Sequence, residues 1–169
     1  MSSFTDFDAG MSIIYDPHAS EVLKGDYWRV GSAFSFYVGD EADGVAVWVP
    51  EGYLTDGASV PRALWSLIPP WGRYGQAVVI HDILCEYLTL TIKGLPVRIT
   101  RLRADQILDE ALGVLGVNDS TRNEIVMGVN LYRITTGKDT PTNDPVKRSL
   151  EAAWFNKNEL LAGVKPLGK

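Results

Sequence analysis

One run of sequence dominates what this chain can fold into: Gly75-Gln-Ala-Val-Val-Ile-His81-Asp82-Ile-Leu-Cys-Glu-Tyr87, a nearly continuous apolar segment with a His-Asp doublet at its middle. On helical spacing His81 shares a face with Ala77, Val78, Leu84, Cys85 and Leu88, so its imidazole is directed into a core. An ionisable group in that position is costly unless something partners it. The best partner is Asp105, which lies on the apolar stripe of a later helix with Leu102, Leu108 and Leu112.

With 169 residues, 46% of them hydrophobic, the chain is long enough to bury a core without disulfides or a structural metal, and residues 1–169 are expected to form a single domain. A net charge of -5 argues against a nucleic-acid-binding surface and against a basic membrane-surface helix. Cys85 is the single cysteine, which excludes an internal disulfide and any multi-cysteine zinc site. The N-terminus has no basic stretch followed by an apolar one, and no run reaches the ~18 residues of a spanning helix. No signal peptide and no transmembrane segment are expected.

The fold class expected is α+β: a β-rich stretch over 1–55 followed by a helical body over 56–169. Tyr27-Trp-Arg-Val30 alternates like a short strand, while the rest of residues 1–30 has no clear pattern. Ala33–Val38 and Val45–Val49 flank a turn-rich hexapeptide and predict an antiparallel hairpin over 33–49. Ser59 and Pro61 predict a short helix to about Leu67, stopped by Pro69-Pro70. A long helix follows from about Gly75 to Thr89, then an excursion or hairpin around Lys93-Gly94. A helix from Leu102 to about Leu115 ends at Gly116. Thr121 and Glu124 form a capping-box pattern for a helix that Gly137 closes. Asp144-Pro145 opens a last helix to about Leu161.

Two helices that carry His81 and Asp105 on their apolar faces can pack so that the carboxylate orients one ring nitrogen and the other takes a proton. Asp82 projects about 100° away around its helix. With Asp56, in the loop Thr55-Asp-Gly-Ala-Ser-Val-Pro-Arg62, it could hold a divalent cation through carboxylate oxygens, Ca2+ being the expected ion. Plainer readings stand beside these. A buried His-Asp bond can merely fix how two helices pack, and Asp-Gly-Ala-Ser suits a self-capped turn. Cys85 is placed for a thiol-imidazole pair with His81 and equally for simple core packing. Trp65, Trp71 and Tyr74 could floor a pocket, and Arg62 and Arg73 could meet an anionic ligand.

Val49-Pro-Glu-Gly-Tyr53, Thr55-Asp-Gly-Ala-Ser-Val-Pro-Arg62, Leu64-Trp65, Pro69-Pro70, His81-Asp82 and Arg103-Ala-Asp105 together resemble a small family borne by phages and prophages, domain of unknown function 1353. That resemblance spans roughly 45–137 and implies a phage origin, with host cytoplasm or virion as the expected location, without implying an activity. His81-Asp82 with Tyr87, followed by Ala104-Asp105, is also similar to the His-Asp and Ala-Asp pairs of the phospholipase A2 superfamily. By that similarity His81 is the base that activates water, Asp105 its orienter, and Asp82 a calcium ligand beside loop carbonyls near Gly72 and Gly75. Cys85 stands where that superfamily has a tyrosine.

Three classes of function remain open on the sequence. One is a metal-dependent hydrolase, phospholipase-like or amide-cleaving. The second is a non-catalytic virion component of tail, baseplate or neck, with other phage structural proteins as partners. The third is a phage protein that binds a host protein or a nucleotide signal.

Overall fold

The computed structural model of the chain describes residues 6–39, 41–67, 74–142 and 144–163. The Pro69-Pro70 helix stop, Trp71 of the expected pocket floor, Gly72 of the expected calcium loop and Arg73, expected to meet an anionic ligand, lie outside the described residues. The fold is α+β, with two small antiparallel sheets, mostly from the N-terminal half, and five α-helices among the described residues.

The larger sheet is built around the expected hairpin. Strands β4 (Phe34–Tyr37) and β5 (Val45–Val49) pair Phe34 with Val49 and Phe36 with Val47, and all four side chains are buried. Trp48, one residue out of phase, is exposed, as the two-residue period of a strand requires. Strand β1 (Asp6–Phe7) adds to β4, and β7 (Thr89–Ile92) adds to β5 and carries β8 (Leu95–Arg98) on its far side. Lys93 and Gly94 join β7 to β8 with φ of 51° and 79°, the left-handed pair of a type I′ hairpin turn. This segment interrupts the helical half in sequence and completes the sheet in space. The smaller sheet has the order β2 (Ile13–Tyr15), β3 (Trp28–Val30) and β6 (Leu54–Thr55).

Helix α1 (Pro17–Leu23) was not legible in the unpatterned N-terminal stretch, although its start is conventional: Asp16 accepts from the Ala19 amide and proline occupies the first turn. Helix α2 (Gly75–Tyr87) is buried from Ala77 through Glu86 because it packs against β5 on one side and α3 on the other. A helix covered all round needs no polar face, which is why its sequence is so uniformly apolar. Helix α3 (Arg101–Val114) starts at Thr100, whose hydroxyl accepts from Arg103.

Two boundaries differ from the sequence reading. Helix α4 (Asp119–Thr136) opens before the Thr121-Glu124 box, because the Asn118 side chain accepts the Thr121 amide at 2.9 Å and takes the capping role. Gly137 closes that helix at φ 61°, as expected. The helix expected from Pro61 to Leu67 is only a three-residue 3-10 turn, Arg62–Leu64, whose successive bonds reach back three residues. So short a segment does not overcome the cost of nucleating an α-helix. Helix α5 (Pro145–Gly163) begins as expected, Asp144 accepting from the Lys147 amide at 3.0 Å. One hydrophobic cluster runs from Val30 and Phe34 through α2 and α3 to Ile125 and Val129. Among the described residues no helix is long and apolar enough to cross a membrane.

Candidate functional site

His81 and Asp105 meet in the seam between α2 and α3. The imidazole is 0% exposed and the carboxylate 2%, and His81 Nε2 lies 2.8 Å from Asp105 Oδ1. Burial of this pair is tolerable because the carboxylate has further partners: Arg133 Nε donates to Oδ2 at 3.1 Å, and Arg101 Nε stands 3.6 Å from Oδ1. Cys85, one helical turn beyond His81, places Sγ 3.4 Å from Nε2.

The other ring nitrogen has a partner the sequence did not single out for chemistry. His81 Nδ1 lies 3.0 Å from Ser59 Oγ. Ser59 is positioned by the turn it belongs to, and Asp82 shapes that turn. The Thr55 hydroxyl and the Gly57 amide (3.1 Å) donate to Asp82 Oδ2, and the Ser59 amide donates to Oδ1 at 3.2 Å. Asp56 accepts from the Ala58 amide at 3.0 Å, the self-capped turn that Asp-Gly-Ala-Ser allows. The doublet therefore divides its work: His81 reaches across to α3, and Asp82 reaches back to the loop after β6.

Ser59 and Cys85 both line a solvent-open cavity of about 240 Å³, and His81 and Asp105 sit behind them. Asp56 and Asp82, the pair expected to hold calcium, also line this cavity, with the Asp82 oxygens already accepting the three loop donors. In the same cavity lining the Tyr53 hydroxyl donates to Glu86 Oε2 at 2.9 Å, and Lys147 Nζ pairs with the same oxygen. Lys147 also lies 3.3 Å from Glu151 and over the Tyr53 ring. Among the described residues two buried side-chain atoms, Glu86 Oε1 and Arg101 Nε, have no hydrogen-bond partner, and both residues line the cavity.

Burial by itself would push the His81 imidazole down, but Cys85 and the bond to Asp105 outweigh it and hold the pKa up at about 9. Near neutral pH the ring is thus an imidazolium that donates to Ser59 Oγ and to Asp105. Burial, then the nearby Asp56 charge, raise the Asp82 carboxyl above its ordinary value, while the Ser59 and Thr55 bonds oppose the rise. His81, Cys85 and Asp105 offer ligand atoms that all lie within 4.8 Å of one another, so this buried group could hold a metal ion, whose identity the geometry leaves open. The donor set suits zinc better than calcium. The two guanidinium groups already against Asp105 oppose a further dication there.

Several members of the site were missed in the sequence. Ser59 was read only as a helix start, and nothing in a local pattern names a partner 22 residues away. Arg133 did carry a signal: it continues the four-residue spacing of Ile125 and Val129, the buried stripe of α4, so a charge stands where an apolar residue belongs. Arg101 precedes Asp105 by one helical turn.

The chain is similar to the uncharacterized protein y4jT of Sinorhizobium fredii (strain NBRC 101917 / NGR234), with 40% identity over 86 residues. That match covers 50% of this chain and 23% of the relative, so the chain spans less than a quarter of the relative's length. No solved structure matches. The family model described as "Protein of unknown function (DUF1353)" matches residues 28–129, strands β3 to β8 and helices α2 and α3 with most of α4, a span that holds Ser59, Asp82, His81, Cys85 and Asp105, and the chain belongs to that family.

Proposed function

We propose that the chain is a hydrolase acting by acyl transfer, with Ser59 as nucleophile, His81 as base and Asp105 as the group that orients the base. The observation that carries this reading is the unbroken relay of 3.0 Å from Ser59 Oγ to His81 Nδ1 and 2.8 Å from His81 Nε2 to Asp105, with the serine end facing the cavity. Once His81 has lost its Nδ1 proton, Ser59 O–H donates to that nitrogen. As Oγ bonds to a substrate carbonyl carbon, the serine proton passes to Nδ1 and then to the leaving group, leaving an acyl-serine. Water attacks the acyl-serine by the same route in reverse roles, releasing the acid and restoring Ser59. Asp105 stabilises the imidazolium formed at each stage, and Arg133 fixes Asp105.

In this reading Asp82 and Asp56 set the shape of the serine loop, and no metal ion takes part in a step. Ca2+ held by Asp82 and Asp56, or an ion on His81, Cys85 and Asp105, is the metal-dependent version of the same proposal. Its mark is activity that a chelator abolishes and the ion restores. A phage or prophage setting rests on the family resemblance, and prophage genes on either side of the coding sequence are its test.

The test of the nucleophile is covalent labelling. A fluorophosphonate probe at pH 9, followed by peptide mass analysis, is expected to give an adduct on Ser59 that Ser59→Ala removes and that chelator treatment leaves unchanged. Because the base is protonated below about 9, the labelling rate should climb roughly tenfold per pH unit between pH 6 and 8. Folded protein that gains no adduct on Ser59, or that an alkylating agent modifies at Cys85 in its place, overturns the assignment.

A further inference from the structure

The cavity that Ser59 faces is lined by Glu86 and Arg101, two residues of opposite charge that each hold a buried polar atom with no hydrogen-bond partner among the described residues. Glu86 Oε1 is an acceptor and Arg101 Nε a donor; each residue is 6% exposed, and each lines the cavity. Buried groups of this kind are rare in folded proteins, because each unmade bond costs the full desolvation of the group.

Neither is spare for want of neighbours. Glu86 Oε2 is fully engaged by Tyr53 and Lys147, which fixes the carboxylate and leaves Oε1 as the free oxygen. Arg101 Nε stands 3.6 Å from Asp105 Oδ1, too long for a hydrogen bond. Along α2, Glu86 stands one helical turn past Asp82, whose Oδ1 holds the Ser59 amide, so the acceptor lies about one turn, roughly 5 Å, along the helix from the serine loop. Arg101 enters from the start of α3, on the Nε2 side of His81.

We propose that this cavity binds a zwitterionic acyl substrate, an amino-acid or short-peptide derivative whose ammonium or N–H group meets the Glu86 carboxylate and whose carboxylate meets the Arg101 guanidinium. The inference rests on the Ser59 cavity being the reaction site and adds the substrate class to it. Both contacts are charge-assisted. An uncharged acyl chain of the same size makes neither contact, so the site discriminates against it. The remaining charges of the cavity are mixed in the same way: Asp56 and Asp144 line it together with Lys138 and Lys147.

Binding is measured without any turnover, by calorimetry and thermal shift on the whole chain, with glycine, 4-aminobutyrate and 6-aminohexanoate as zwitterions and butylamine and butyrate as singly charged controls. At least one zwitterion is expected to bind about tenfold or more tightly than both controls, and Glu86→Gln and Arg101→Gln are each expected to reduce that margin to about threefold or less. Equal binding of zwitterions and controls overturns the proposal, and this wild-type comparison is decisive even where a variant fails to fold. Variants that melt normally and keep the full margin overturn it as well. The two readings fail separately: Ser59 labelling without zwitterion preference removes the substrate class and leaves the hydrolase, and zwitterion binding without Ser59 labelling leaves a binding site and removes the nucleophile.

Discussion

The protonation of His81 is the property of this site that a solution experiment reads most directly. The folded chain holds the imidazole at about 9 against 6.5 for the free side chain. At about 1.4 kcal/mol per pH unit, that difference corresponds to roughly 3 kcal/mol of stability. The sign follows from which state binds the proton more tightly. Because the folded pKa is the higher one, the stabilisation is fully present below about pH 6.5 and is lost as pH rises through 9. For a chain of this size each kcal/mol moves the melting temperature by about 2–4 °C, so raising the pH from 6 to 9.5 should cost roughly 6–12 °C through this one group. The assay is thermal melting of chelator-treated protein across that range, wild type beside His81→Gln, since only the part of the pH slope that disappears in the variant belongs to His81. Imidazole NMR provides a second reading that does not depend on the variant folding. The chain has two histidines, and His18→Gln removes the exposed one in α1, so the remaining imidazole signal belongs to His81 and is expected to titrate near 9. A buried imidazole that titrates below about 7, or melting curves of the two proteins that fall in parallel, refutes the argument that Cys85 and Asp105 outweigh burial.

Two further outcomes test the surroundings of the site. Gly52 has φ +86°, and a Cβ there meets the Trp154 ring, whereas Gly94 has φ +79° with open space around it. Gly52→Ala should therefore lose on the order of 2–4 kcal/mol in chemical denaturation, and Gly94→Ala only about 1–2 kcal/mol, since the second carries the backbone strain without the collision; equal losses would show that α5 yields at Trp154. Asp82→Asn replaces a carboxylate that accepts three loop donors, and it should cost roughly 1–3 kcal/mol while slowing Ser59 labelling in protein that remains folded. Full labelling in that variant would show that the loop keeps its shape without Asp82.

What the sequence revealed about this molecule follows from the range over which each signal acts. The hairpin around residues 39–44, the Lys93-Gly94 turn and the closing Gly137 were legible because period-two alternation and left-handed turn residues are local requirements, satisfied within a few positions. The His81-Asp105 contact was legible too, because both residues interrupt an apolar helical stripe, and two such interruptions on neighbouring helices have few other partners. Ser59 fails that criterion. It sits in a loop rich in small polar residues, where a serine has an adequate local purpose, and only the packing of that loop against α2 turns its hydroxyl toward Nδ1. Glu86 and Lys147 fail it for a different reason: they are 61 residues apart, and Lys147 opens a helix whose first turn looks solvated in sequence, yet it is buried against Tyr53. The division has a physical origin. Core positions are over-determined by many weak apolar contacts, so their pattern survives in one dimension, whereas a polar site is specified by a few directed bonds whose ends are brought together only by the completed fold. Asp82 is where the two kinds of specification meet. Its place on the buried helix follows from the apolar run around it, but its partners, Thr55, Gly57 and Ser59, belong to the loop after β6, so the helix that fills the core also sets the geometry of the serine.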